Sequence, residues 1–167
     1  MRLLILFSIA TLIALALQTS IIHLLPVGMF VPDLVLILVV DLGLRHHGVL
    51  AALMAFAIGY ATDAFSGSQL GLNALMLTLV FLLAYWLSRS LISTNTAVGV
   101  IAVFIGVILA DLGTYLITSS RATLSMGTLA GPVLAQAAIT ALLSPWIFAA
   151  MRLATRTVGL RPRGSRD

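Results

Sequence analysis

Apolar residues along this chain fall into six runs, each closed by a short joint of polar residues, Gly or Pro. A helix that crosses a bilayer needs about 20 mostly apolar residues. The first run, from Leu3 to about Leu25, meets that length, and the second begins after Pro32 and ends near Leu44. The third extends from Gly48 to about Phe65 and the fourth from about Leu72 to Leu87. The fifth covers about Ala97 to Thr118 and the sixth about Thr128 to Met151. The joints are Pro26-Val27-Gly28 with Pro32, Arg45-His46-His47-Gly48, Ser66-Gly67-Ser68, Ser93-Thr94-Asn95 and Ser119 to Gly127. None is long enough to hold an inserted soluble domain.

The pattern predicts an all-α integral membrane protein of six transmembrane helices over residues 1–158, with a basic, mobile cytoplasmic tail over 159–167. The second run is the exception to full length. Its dozen or so residues rise roughly 18 Å as a helix, against a hydrocarbon core of about 30 Å. It must tilt little, thin the membrane, or be shielded by its neighbours. Arg2, the apolar stretch and Ala14-Leu15-Ala16 have the form of a secretory leader, but the stretch continues to Leu25. That is too long for a leader core, so the first helix is expected to be retained.

Composition supports lipid as the solvent. The chain is 61% hydrophobic and 8% charged, whereas a soluble domain carries about a quarter charged residues. There is no Lys and no Glu, so nine Arg face five Asp for a net charge of +4. A basic excess directed at nucleic acid needs a clustered polar surface. Here the arginines stand at the ends of apolar runs, which instead suggests membrane topology, and no nucleic-acid partner is expected. With a cytoplasmic N-terminus, Arg2, Arg45, Arg89, Arg152, Arg156, Arg161, Arg163 and Arg166 lie inside and only Arg121 outside. The positive-inside rule then places both termini in the cytoplasm, with Arg152 and Arg156 as anchors to the anionic inner leaflet. Cysteine is absent, so no disulfide or thiolate metal site exists.

Lipid provides little drive for helices to associate, so small residues that let backbones approach become informative. The first run has Ala10 and Ala14, the third has Ala51, Ala55 and Gly59, and the fifth has Gly99, Gly106 and Gly113 along one stripe with Ala102 and Ala110. Packing within the chain is the simpler use of these stripes, and contact with a partner's helix is the other. Pro145 removes one backbone donor and predicts a kink in the sixth helix.

Ionisable groups within a membrane are costly and usually face the bundle interior. Asp33 follows Pro32 and suits a helix N-cap. Asp41 and Arg45, four apart, suit an ion pair. His46 and His47 have no third ligand nearby and read as a solvated loop rather than a metal site. Asp63 continues the Ala51–Ala55–Gly59 stripe at a helix C-terminal end, where a carboxylate is electrostatically misplaced. Either Arg121 or the start of the fourth helix, beyond Gly71 and Asn73, must compensate. Asp111 lies within the fifth helix and Gln136 at similar depth in the sixth. By depth alone, Asp63, Asn73, Asp111 and Gln136 are expected to gather in the outer half. The gathering would be a structural cluster, a small-molecule pocket or a docking site. Catalytic signatures such as GxSxG, HExxH and Walker A are absent. An Asp63–Asp111 protease pair would lack its supporting motifs, so no enzyme and no cofactor are expected.

Three segments carry a family resemblance. Val31-Pro32-Asp33-Leu34-Val35-Leu36-Ile37-Leu38 is one, and Gly59 and Asp63 followed by Ser66-Gly67-Ser68-Gln69-Leu70-Gly71-Leu72-Asn73-Ala74-Leu75 is the second. Pro145-Trp146-Ile147-Phe148 with Met151-Arg152 is the third. With the length and six-helix layout they resemble the rod shape-determining protein MreD family over about residues 1–155. The resemblance implies a non-enzymatic scaffold of the cell-elongation (rod) complex, the elongasome, in the bacterial inner membrane. It implies MreC as partner and, through it, the MreB filament, RodZ, RodA and the elongation transpeptidase, in support of side-wall peptidoglycan synthesis and cell shape. It also implies a fold similar to the substrate-binding subunits of energy-coupling-factor transporters, which keeps a vitamin-transporter subunit as the alternative. In such a subunit Ala10 and Ala14 would suit docking to the transporter module. Only Phe65 and Tyr115 could supply an aromatic lining for a vitamin ring.

Overall fold

A computed structural model describes residues 2–24, 31–46, 48–66, 71–90, 96–118 and 126–157. These contain six helices and, among the described residues, no strand: α1 (Arg2–Leu24), α2 (Leu34–Arg45), α3 (Val49–Ser66), α4 (Leu72–Ser90), α5 (Thr96–Thr118) and α6 (Met126–Thr157). Pro26-Val27-Gly28, His47, Ser68-Gln69-Leu70, Arg121 and the tail over 159–167 lie outside the described residues. Among the described residues, four helices are long and apolar enough to cross a membrane, over Val49–Ser66, Leu72–Arg89, Thr96–Ile117 and Gly131–Arg156. A shorter apolar stretch of α1 covers Ile5–Ser20.

The short α2 is the centre of the bundle. Its segment Leu34-Val35-Leu36-Ile37-Leu38-Val39-Val40 has no polar face, and a helix apolar all round must be enclosed by apolar neighbours. Every residue from Val35 to Gly43 is buried, and α2 packs against each of the other five helices. Of the three ways a helix this short could be accommodated, shielding by neighbours is the one found. Outside it the bundle is inverted relative to a water-soluble protein: Leu142, Trp146 and Val49 are 79%, 79% and 78% exposed. Large apolar side chains so displayed are stable against lipid and not against water.

Small residues set the close approaches. A Cβ at Gly59 would stand 2.5 Å from the Ala74 Cα and 2.7 Å from the Asn73 carbonyl oxygen, so α3 and α4 meet backbone to backbone there. Gly99 meets the Phe148 ring of α6, Gly106 meets Val80 of α4 and Leu36 of α2, and Gly113 meets the Met76 sulfur of α4. Ala51 and Ala55 are buried, as is Ala14, and Ala10 packs half-buried against the core. These small faces therefore pack chiefly within the chain itself, with Ala10, Ala110 and Gly113 half-buried.

Helix α6 continues through Pro145. Proline cannot donate to the carbonyl four residues back, here that of Ala141. The Ser144 hydroxyl donates to that same carbonyl at 2.7 Å, so the buried acceptor keeps a partner.

Candidate functional site

Polar side chains collect in three places, and each is explained by which backbone groups its neighbours leave unsatisfied. The first is the junction of α3 and α4. The opening turn of a helix has N–H groups without intrahelical acceptors. At the start of α4 these are met by Asp63, from the last turn of α3. Its Oδ2 accepts from Gly71 N at 2.9 Å and Ala74 N at 3.2 Å, and its Oδ1 from Asn73 N at 3.1 Å. The carboxylate is only 1% exposed. A negative charge is unfavourable at the end of its own helix, but here it sits on the positive end of the next one. Gly71 turns the chain into α4 with φ +96°, a conformation that glycine adopts without a Cβ penalty. The close approach at Gly59, one turn before Asp63, brings the α4 start within reach of the carboxylate. Gly59, Asp63, Gly71, Asn73 and Ala74 thus act as one unit.

The second place is the N-terminal end of α2. Asp33 caps the helix by accepting from Leu36 N at 3.0 Å. The Gln18 amide of α1 donates to Asp33 Oδ1 at 3.3 Å and to the Pro32 carbonyl at 3.1 Å. The Asp33 N–H donates to Thr140 Oγ1 of α6 at 3.2 Å. Asp111 of α5 stands at the level of this end, since α5 packs on α2 where Gly106 meets Leu36, and its Oδ2 is buried without a hydrogen bond among the described residues. This end of α2 is recessed. Gln18 is nearly two turns from the end of α1, and Thr140 about four turns inside α6.

The third place is the other end of α2, which is level with the chain's helical termini. Asp41 is 1% exposed and accepts from Arg45 Nε. The Ser88 hydroxyl of α4 donates to the Leu44 carbonyl at 3.0 Å, and His46 packs edge-on against Phe7 of α1.

Asp63 and Asn73 come together, but no hydrogen bond links them to Asp111 or Gln136 among the described residues. Asp111 stands at the level of Asp33 on the adjoining α5, and Gln136 is half-buried on α6. Depth along a helix axis does not specify which side of the bundle a residue faces. Gln18 and Thr140 escaped notice in the sequence, although Gln18 is the one amide in the first apolar run and a buried amide needs partners. Phe65 is 73% exposed, on the exterior. The open groove between α4 and α5, lined by Leu79, Ile105, Ile108, Leu112 and Leu116, is almost wholly apolar. Among the described residues no three His, Cys, Asp or Glu side chains group to hold a metal.

Compared with known proteins, residues 1–154 match a family model described as rod shape-determining protein MreD. No curated protein and no solved structure gives a significant match.

Proposed function

Since the chain belongs to the MreD family of rod shape-determining proteins, we propose that it is a non-enzymatic scaffold of the cell-elongation complex in the bacterial inner membrane. In this reading both termini are cytoplasmic, all six helices lie within the bilayer, and the Asp63 and Asp33 ends face outward. Its partner is the single membrane helix of MreC, through which it serves MreB, RodZ, RodA and the elongation transpeptidase in side-wall peptidoglycan synthesis.

The observation that carries this reading is the family match over nearly the whole chain. The polar geometry is compatible with it. Asp63 is occupied by backbone donors, Asp41 by Arg45, and Asp33 by Gln18 and its own helix. These contacts hold helices together and present no activated nucleophile. Because the small faces of α1, α3 and α5 pack chiefly within the chain, a partner's helix in this reading meets the exterior of large apolar side chains. Depletion in the bacterium that encodes it tests the role. Cells are expected to lose rod shape and side-wall incorporation of wall precursors, with both restored by a plasmid copy. Unchanged cell width and wall incorporation after depletion would contradict it.

One observation favours the alternative, a substrate-binding subunit of a vitamin transporter. The recessed end of α2 gathers Gln18, Asp33, Thr140 and Asp111, with one Asp111 oxygen unbonded. That reading requires a small molecule that stays bound through purification.

A further inference from the structure

At the opposite end of α2 two arginines from adjoining helices reach the same level: α2 packs on α6, the Asp33 N–H meets Thr140, and Arg45 and Arg152 each stand twelve residues further along. Arg45 ends α2, and its Nε is held by the buried carboxylate of Asp41. Arg152 stands on α6, with its Nε donating to the Phe148 carbonyl at 3.3 Å. Both guanidinium groups are therefore anchored through Nε. Among the described residues their terminal nitrogens make no hydrogen bond. A guanidinium so held presents its remaining N–H groups as a fixed fork, the geometry that suits phosphate oxygens.

Charge and position narrow the ligand. Two guanidinium groups and one carboxylate leave a single positive charge, which one phosphodiester neutralises. Arg152 is exposed, and around it α6 turns Leu153, Ala149 and Ala150 outward, an apolar wall along which acyl chains can lie. Arg89 of α4 differs, because its Nη1 is directed to the Tyr85 hydroxyl at 3.4 Å.

We propose that Arg45 and Arg152 together bind the phosphate of an anionic phospholipid at the end of the bundle where α2 and α6 finish. The lipid is a structural ligand that ties the central helix to α6. This goes beyond a general attraction of the basic tail to a charged leaflet: it names two side chains, one of them on the buried central helix. It does not depend on the partners proposed above.

The test uses the full chain purified in mild detergent, with binding followed by thermal unfolding as lipid is added. The probes are phosphatidylglycerol, phosphatidylcholine and inorganic phosphate. Phosphatidylglycerol is expected to stabilise saturably, with phosphatidylcholine and inorganic phosphate far weaker. Arg152→Gln should weaken the apparent affinity at least about tenfold, the effect of losing one charge-assisted hydrogen bond. Arg89→Gln should leave it unchanged. Arg45→Gln strands the buried Asp41 and so perturbs folding as well as binding, which leaves Arg152→Gln to decide. Equal affinity of wild type and Arg152→Gln would overturn the proposal, as would equal stabilisation by phosphatidylcholine. Full stabilisation by inorganic phosphate would make it a free-anion site and overturn the lipid assignment. A co-purified acidic protein that Arg152→Gln releases and lipid does not displace would overturn it in favour of a protein ligand.

Discussion

Replacing Asp63 isolates the contact between α3 and α4 better than any other single change. Three backbone N–H groups converge on its two oxygens, in a position with almost no access to water. Asp63→Ala removes all three acceptors at once. A buried donor left unsatisfied costs about 1–3 kcal/mol, and loss of an N-cap side chain typically costs about 0.5–2 kcal/mol. These overlap, and α4 can fray to recover part of the loss, so about 3–5 kcal/mol is expected. Asp63→Asn is more selective. Its carbonyl oxygen can replace Oδ2 and keep Gly71 and Ala74, while its amide then faces the Asn73 N–H. One bond is lost and the charge with it, for about 1–3 kcal/mol. Reversible unfolding in mixed detergent micelles, read by circular dichroism, should rank wild type above Asn and Asn above Ala. Asp63→Asn should still insert into the membrane but recover less of its partners on co-purification. If Asp63→Ala unfolds within about 0.5 kcal/mol of wild type, below the smallest capping effect, the carboxylate is not holding the turn.

Gly59→Ala should be nearly as damaging, because the new Cβ meets α4 backbone at 2.5 Å. Combined with Asp63→Ala its effect should be well short of additive, as both break the same contact; full additivity in the same unfolding assay would separate them. Gly113→Ala meets only the flexible Met76 side chain and should cost less than Gly59→Ala in a side-by-side melt; the reverse order would refute the backbone-contact explanation. Thr140→Val keeps the shape of the side chain but strands the Asp33 N–H, for about 1–3 kcal/mol, whereas an unchanged melting temperature would show that this end of α2 is wet. Arg45→Ala leaves Asp41 buried without its partner, a loss of about 3–5 kcal/mol, and Asp41→Asn in the same chain should recover part of it; no recovery would mean that Arg45 acts by packing alone.

The helices were legible because apolar run length and breakers are local signals. All six appear near the expected bounds. The sixth runs on to Thr157 instead of stopping near Met151, since Arg152 to Thr157 contains no breaker and a helix need not end where hydropathy falls. The Asp63 contact was within reach because α3 and α4 are consecutive and the carboxylate sits where a helix end cannot accommodate it. Gln18 with Asp33 and Thr140 was not, because it joins α1, α2 and α6 across up to 107 residues. Sequence spacing gives the face of a single helix but not which helix it meets. The same limit applies to the small-residue stripes: periodicity located them, and only the packed bundle shows that their partners are Phe148, Val80, Met76 and Ala74 of this chain.

The scaffold reading is tested most directly by pulling the tagged protein from its native membrane in mild detergent and analysing the eluate for both proteins and small molecules. The account predicts stoichiometric MreC with elongation enzymes, and no vitamin. Recovery of transporter ATPase subunits or a tightly bound vitamin, without MreC, would contradict it and make the recess beside Asp33 and Asp111 a substrate site.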